Sequence, residues 1–65
     1  MIKIEEHKSI DGKRKAEIWQ DEGWWRVFFF ENEKKIHVAE LSGQVKCAEI
    51  LAEDFVLGEI GRAHV

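Results

Sequence analysis

The 65-residue sequence contains no proline and no tyrosine, and only one cysteine and one methionine. The lack of proline argues against a stiff linker or tail and fits a compact sheet. A single cysteine excludes an intrachain disulfide framework and fits a reducing compartment. No run approaches the ~18 apolar residues of a membrane span, and the N-terminus carries no signal-peptide pattern, so the expected location is the cytoplasm. A basic excess is missing as well. Ten Lys and Arg stand against thirteen Asp and Glu, for a net charge of −3, and that balance weighs against a dedicated nucleic-acid binder. Lys13-Arg14-Lys15 is the one basic run. It reads as the solvated start of a strand after a turn rather than as a phosphate site.

The residues of catalysis and metal binding are also sparse. His7, His37 and His64 share no metal-ligand spacing, and Cys47 stands alone. No acid is placed to orient a base beside Cys47, which reads as a small hydrophobe on a helix. Glu49, Glu53 and Asp54, with Lys46, form an ordinary solvated helix face. The five glycines mark separate turns and caps, so there is no phosphate-cradling loop. The expectation is a protein with no catalytic residue, no metal and no cofactor, and not an enzyme.

What the chain does have is hydrophobic content of 45% with 35% charge, the balance of a globular protein rather than a disordered one. Five of its seven aromatics fall within Trp24-Trp25-Arg26-Val27-Phe28-Phe29-Phe30. Successive side chains of a strand point to opposite sides. Trp25, Val27 and Phe29 therefore share one face, and Trp24, Arg26, Phe28 and Phe30 the other. A strand that is apolar on both faces is either covered on both or presents a contact surface.

Around this stretch the chain reads as a four-stranded antiparallel meander followed by one helix, an α+β domain over residues 1–58. The first strand runs from Ile2 to Lys8. Asp11-Gly12 signals a hairpin, and two registers are open. A two-residue turn sets Ile4 opposite Trp19, whereas a three-residue loop with Gly12 left-handed sets Ile4 opposite Ile18. The second is preferred because it gathers Ile2, Ile4, Ala16 and Ile18 on one face, at the expense of Glu5 facing Glu17. The second strand covers Arg14 to Gln20. A Glu22-Gly23 turn then pairs Ile18 with Val27 and Ala16 with Phe29, and brings Trp19 opposite Arg26 within reach of a cation–π contact. A tight Asn32-Glu33 turn sets Phe29 opposite Ile36 and Val27 opposite Val38, in a short fourth strand from Lys35 to Ala39 with Lys35, His37 and Ala39 outward. Ser42 reads as the N-cap of a helix from Gly43 to Leu57. Val45, Ala48, Leu51, Ala52 and Phe55 make its inner stripe, and Gly58 terminates it. The expected sheet core is Ile2, Ile4, Ala16, Ile18, Trp25, Val27, Phe29, Ile36 and Val38.

The other sheet face carries Trp19, Trp24, Phe28 and Phe30, with Arg26, His37, Lys15 and Lys3 between them. Aromatic patches holding an Arg are typical interface anchors. The first reading is a protein-interaction surface, met by a second copy in a homodimer or by another protein. The alternative is single-stranded nucleic acid, its bases stacked on the rings and its phosphates on Lys and Arg. A third is a cover supplied by a further C-terminal segment. The expected interaction residues are Trp19, Trp24, Arg26, Phe28, Phe30 and His37.

Three resemblances remain. Ile4-Glu5-Glu6-His7-Lys8-Ser9-Ile10-Asp11-Gly12-Lys13-Arg14-Lys15-Ala16 resembles the opening of small marine phage proteins, especially those of phages that infect cyanobacteria. Arg26-Val27-Phe28 and Ala52-Glu53 echo the strand and helix that follow in those proteins, although Asn32-Glu33 stands where they carry a Gly-containing turn. The resemblance implies a viral protein acting in the cytoplasm of an infected bacterium, and it implies no activity. A fainter likeness, through Ser42 and Ala48-Glu49, is to the arm-type DNA-binding domains of phage integrases, which are basic where this chain is acidic. Finally, Glu59-Ile60-Gly61-Arg62-Ala63-His64-Val65 resembles the translation of a sequencing adapter, so residues 59–65 are read as a non-native tail.

Overall fold

The computed structural model describes residues 1–58; the adapter-like tail, with His64, lies outside the described residues. Four strands follow in order, β1 (Ile2–Lys8), β2 (Arg14–Asp21), β3 (Trp24–Glu31) and β4 (Lys34–Ser42), and a helix, α1 (Val45–Leu57), completes the fold. The strands form one antiparallel sheet in the order β1-β2-β3-β4. The helix lies over β2 and β3 and reaches β1. The expected α+β meander with one helix on one face is the fold observed. Its 16 Å thin axis is that of two layers, sheet and helix.

The central hairpin keeps the expected register, with Ile18 opposite Val27, Ala16 opposite Phe29 and Trp19 opposite Arg26. Its turn has positive φ at both Glu22 and Gly23, the type I′ geometry whose twist matches the flanking strands. Ile18 and Val27 are the largest fully buried side chains. Ala48 and Ala52 on α1 are fully buried above the sheet, and their small side chains let the helix backbone approach it closely. Val56, Leu51 and Phe55 extend that contact, with the Phe55 ring 4.9 Å from that of Phe29.

Both outer strands depart from the expected registers. In the first hairpin Ser9 N–H donates to Arg14 O (2.9 Å), Arg14 N–H donates to Ser9 Oγ (3.0 Å), and Ser9 Oγ donates to Asp11 Oδ1 (2.7 Å). Asp11 also accepts from Lys13 N–H (2.9 Å), and Gly12 is left-handed as expected. This network makes a four-residue loop, Ile10 to Lys13, that fixes His7 opposite Ala16 and Glu5 opposite Ile18. A bulge then inserts Ile4 as an extra residue, and the register resumes at Lys3–Trp19 and Ile2–Gln20. The expected Ile4–Ile18 pair is therefore absent. Ile2 and Ile4 lie outside the core, 65% and 38% exposed.

The Asn32-Glu33 turn forms as expected, with Glu31 opposite Lys34 and Phe30 opposite Lys35. A second bulge, at Ile36, then shifts the pairing so that Phe29 meets His37, Phe28 meets Val38 and Val27 meets Ala39. This removes Ile36 and Val38 from the expected core. It turns Ala39 inward, and the strand continues through Leu41, opposite Trp25, to Ser42, opposite Trp24. Ser42 is thus the last residue of the sheet rather than a helix cap. Gln44 stands at the N-cap without a side-chain hydrogen bond, and α1 begins two residues later than the expected Gly43 start. Trp25 Nε1 donates to Gly43 O (2.9 Å), which ties this linker to the sheet. Gly58 ends the helix in the left-handed conformation, as expected. The Arg14 guanidinium also closes that end, lying over the Phe55 ring and donating to Phe55 O (3.2 Å). A cation suits the carbonyl end of a helix, so one member of the basic run has a structural role.

Ile18→Ala should destabilise the fold by about 2–5 kcal/mol, while Ile2→Ala should cost less than about 1 kcal/mol; urea unfolding of the two variants checks this. Glu33 has φ 70°, which a side chain disfavours and glycine does not. Glu33→Gly should therefore raise the unfolding free energy by roughly 0.5–1 kcal/mol, seen as a higher urea midpoint.

Candidate interaction face

The face of the sheet turned away from α1 is laid out by the β2–β3 register. Trp19 and Glu17 come from β2, and Trp24, Arg26, Phe28 and Phe30 from β3. Trp19 and Phe28 meet edge to face, with centroids 6.1 Å apart at 82°. Lys15 Nζ stands 4.5 Å from the Phe30 ring centre, and Lys35 Nζ 5.0 Å from that of Phe28. Trp19, Phe28 and Phe30 are half-buried under these side chains, and Trp24 at the rim is 51% exposed. Met1, Glu17, Trp19, Phe28, Phe30 and Lys35 line a shallow depression in the middle.

Charges of both signs interleave across the rings. Lys3 bonds Glu6 and lies 3.5 Å from Glu17, and Lys15 lies 3.2 Å from Glu17. The Trp19 indole donates to Glu17 Oε1 (3.0 Å). Arg26 faces Trp19 as expected, but its Nη2 lies 3.4 Å from both Asp21 and Glu40, so it ties three strands together. Cation–π contacts fall to the two lysines instead. Among the described residues, Arg26 Nε is the buried side-chain donor without a partner.

Of the expected interaction residues, Trp19, Trp24, Arg26, Phe28 and Phe30 share this face. His37 does not. The bulge at Ile36 turns its ring to the helix side, where it stacks on Phe29 at 5.8 Å and 20°. Val38 takes the expected place beside Phe28, and Glu40 joins the face next to Arg26. Neither residue was among the expected ones. The inward alternation of Ala39 and Leu41 is the signal that places them outward.

On the helix side a second group of ionisable residues gathers where β1 meets α1. His7 Nε2 lies 2.9 Å from Glu5 Oε1, which holds the Glu5 carboxyl below its ordinary value. Glu5 in turn raises the neighbouring Glu49 carboxyl above its ordinary value. Among the described residues, no three His, Cys, Asp or Glu side chains are grouped to hold a metal ion, and Cys47 is exposed with no disulfide. No described helix is long and apolar enough to cross a membrane. Comparison with known proteins finds no matching family, no matching curated protein and no matching solved structure.

Two carboxylates on the sheet face, Glu17 and Glu6, titrate low. Partial burial pushes Glu17 up, but the hydrogen bonds from Trp19 and Lys15 and the charge of Lys3 outweigh it, leaving the group below its ordinary value of 4.5. The hydrogen bond from Lys3 lowers Glu6 in the same way. A folded-state value below the unfolded one adds stability that is complete above the unfolded value and is lost as pH falls through the folded one. The urea midpoint should therefore drop as the solution is acidified below pH 4.5. Glu17→Gln should lower the midpoint at neutral pH and flatten the acid decline.

Proposed function

We propose that this protein is an interaction module that makes its contact through the aromatic sheet face, and that it self-associates there. The observation that carries the reading is the Trp19–Phe28–Phe30 cluster, with Trp24 at its rim, on a sheet face that no described element covers. Lys3, Lys15, Arg26 and Lys35 alternate on it with Glu6, Glu17, Asp21 and Glu40. A surface so balanced can meet its own copy about a two-fold axis without like-charge conflict. Because three of the rings on each copy are already half-buried, completing the burial contributes about half the full value for four such side chains, and with both copies counted roughly 6–12 kcal/mol in all. Association itself costs ~4–15 kcal/mol. A contact of that strength depends on concentration and is not obligate.

Single-stranded nucleic acid on the same face is the weaker reading. Lys3, Lys15 and Arg26 already lie against carboxylates, and Lys15 and Lys35 stand over the ring faces on which bases would stack. The opening hairpin's resemblance to marine phage proteins adds a setting to the proposal, the cytoplasm of an infected bacterium.

Light scattering across micromolar concentrations should show a mass rising from 7.6 kDa toward twice that value. Trp24→Asp, checked by circular dichroism to remain folded, should hold the mass lower at equal concentration. A wild-type mass that stays monomeric throughout defeats self-association through this face. Salt-dependent quenching of tryptophan fluorescence by single-stranded oligonucleotide would favour the nucleic-acid reading instead.

A further inference from the structure

We propose that the free edge of β4 pairs antiparallel with β4 of a second copy, about a two-fold axis at Val38, to give one continuous eight-stranded sheet. This contact uses a different surface from the aromatic face and does not depend on it. β4 is the outer strand of the sheet, and no described strand pairs with its far edge. An edge of nine residues presents backbone donors and acceptors ready for another strand.

Two observations select a second copy as the occupant. The first is charge. With Val38 opposite Val38, His37 of each copy falls opposite Ala39 of the other. The bulge at Ile36, which already places Lys35 rather than Ile36 opposite Phe30, then brings Lys35 opposite Glu40. Both residues lie on the aromatic side of the sheet, so the symmetric pairing creates two opposite-charge cross-strand pairs. Such pairs favour that register over its neighbours.

The second observation is the groove beside the strand. Helix α1 sits toward β2 and leaves the helix side of β4 open. Phe29, Ile36, His37 and Ala39 form the floor of an apolar groove there, walled by Leu51 and Phe55. Ile36 is 51% exposed in it. Antiparallel pairing about an axis perpendicular to the sheet puts both helices on the same side. The two grooves then lie next to each other between the helices, and Ile36 of each copy is withdrawn from water. A charged edge strand with a flat polar flank would discourage such pairing. Here the flank is apolar and the charges are self-complementary.

Sedimentation of the Trp24→Asp variant tests this, because that background weakens the aromatic-face contact while leaving the edge intact. A concentration-dependent dimer should persist in it, and adding Ile36→Asp should abolish that dimer. Adding Lys35→Glu should weaken it roughly three- to tenfold, with partial recovery in the Lys35→Glu/Glu40→Lys pair. Amide hydrogen exchange gives an independent readout, since the β4 amides directed away from β3 should become protected as concentration rises. A 7.6 kDa mass at all concentrations overturns the proposal. So does a dimer unmoved by Ile36→Asp, or outer β4 amides whose exchange is the same at low and high concentration.

Discussion

Ile18 faces Val27 across the central hairpin, and both are closed off completely beneath Ala48 and Ala52. In a chain of this length few side chains can be buried fully, so the position of the helix depends on this pair. The two alanines bring α1 close to the sheet there. Phe55 then reaches Phe29, and Arg14 reaches the last carbonyls of the helix. One consequence is asymmetry. A single 13-residue helix centred over β2 and β3 covers half of a four-stranded sheet well and leaves the fourth strand largely bare.

The central hairpin was legible in the sequence because its signals agree. Glu22-Gly23 suits a type I′ turn, and the register that turn imposes aligns Ile18 with Val27 and Ala16 with Phe29. The outer strands were less legible because there the apolar pattern and the local bonding disagree. Matching isoleucines favoured Ile4 opposite Ile18, yet the Ser9 hydroxyl and the Asp11 carboxylate build a loop that sets the pairing one residue away. The bulge at Ile4 absorbs the mismatch. At Ile36 a second bulge does the same, and the residues beyond it exchange faces, since a one-residue slip inverts every side chain that follows. That is why His37 was expected on the aromatic face and is found on Phe29. A bulge leaves little trace in a hydrophobic pattern. The alternation of Ala39, Glu40, Leu41 and Ser42 carries the correct phase for the far half of β4, but it conflicts with the phase of Lys35 and Ile36 before the bulge.

The aromatic face is also more closed than its composition implies. Lys35 and Lys15 hold their ammonium groups over the Phe28 and Phe30 rings, and Glu17 holds the Trp19 indole and two lysines together. Amphipathic side chains can cover apolar surface in this way while keeping their charges wet. The canopy reduces the apolar area that the four large rings present to water. It also lowers the gain from covering them, because part of their surface has already left water. A partner must displace or match this charged layer, which makes the face selective by charge pattern as much as by hydrophobicity.

The two uncovered surfaces are independent in direction. The aromatic face looks along the sheet normal, away from α1, while the β4 edge looks along the sheet plane. Pairing two β4 edges about an axis perpendicular to the sheet keeps both aromatic faces on the same side and joins them into one surface. Lys35 and Glu40, at the seam, would then lie near its centre. Two weak contacts presented by a linked pair act together, because the second forms at the high effective concentration set by the first. An aromatic face too modest to hold a single partner firmly gains reach when doubled. The bulge at Ile36 is the feature that permits this geometry, since it carries Val38 and Glu40 onto the aromatic side while leaving Ile36 beside the groove.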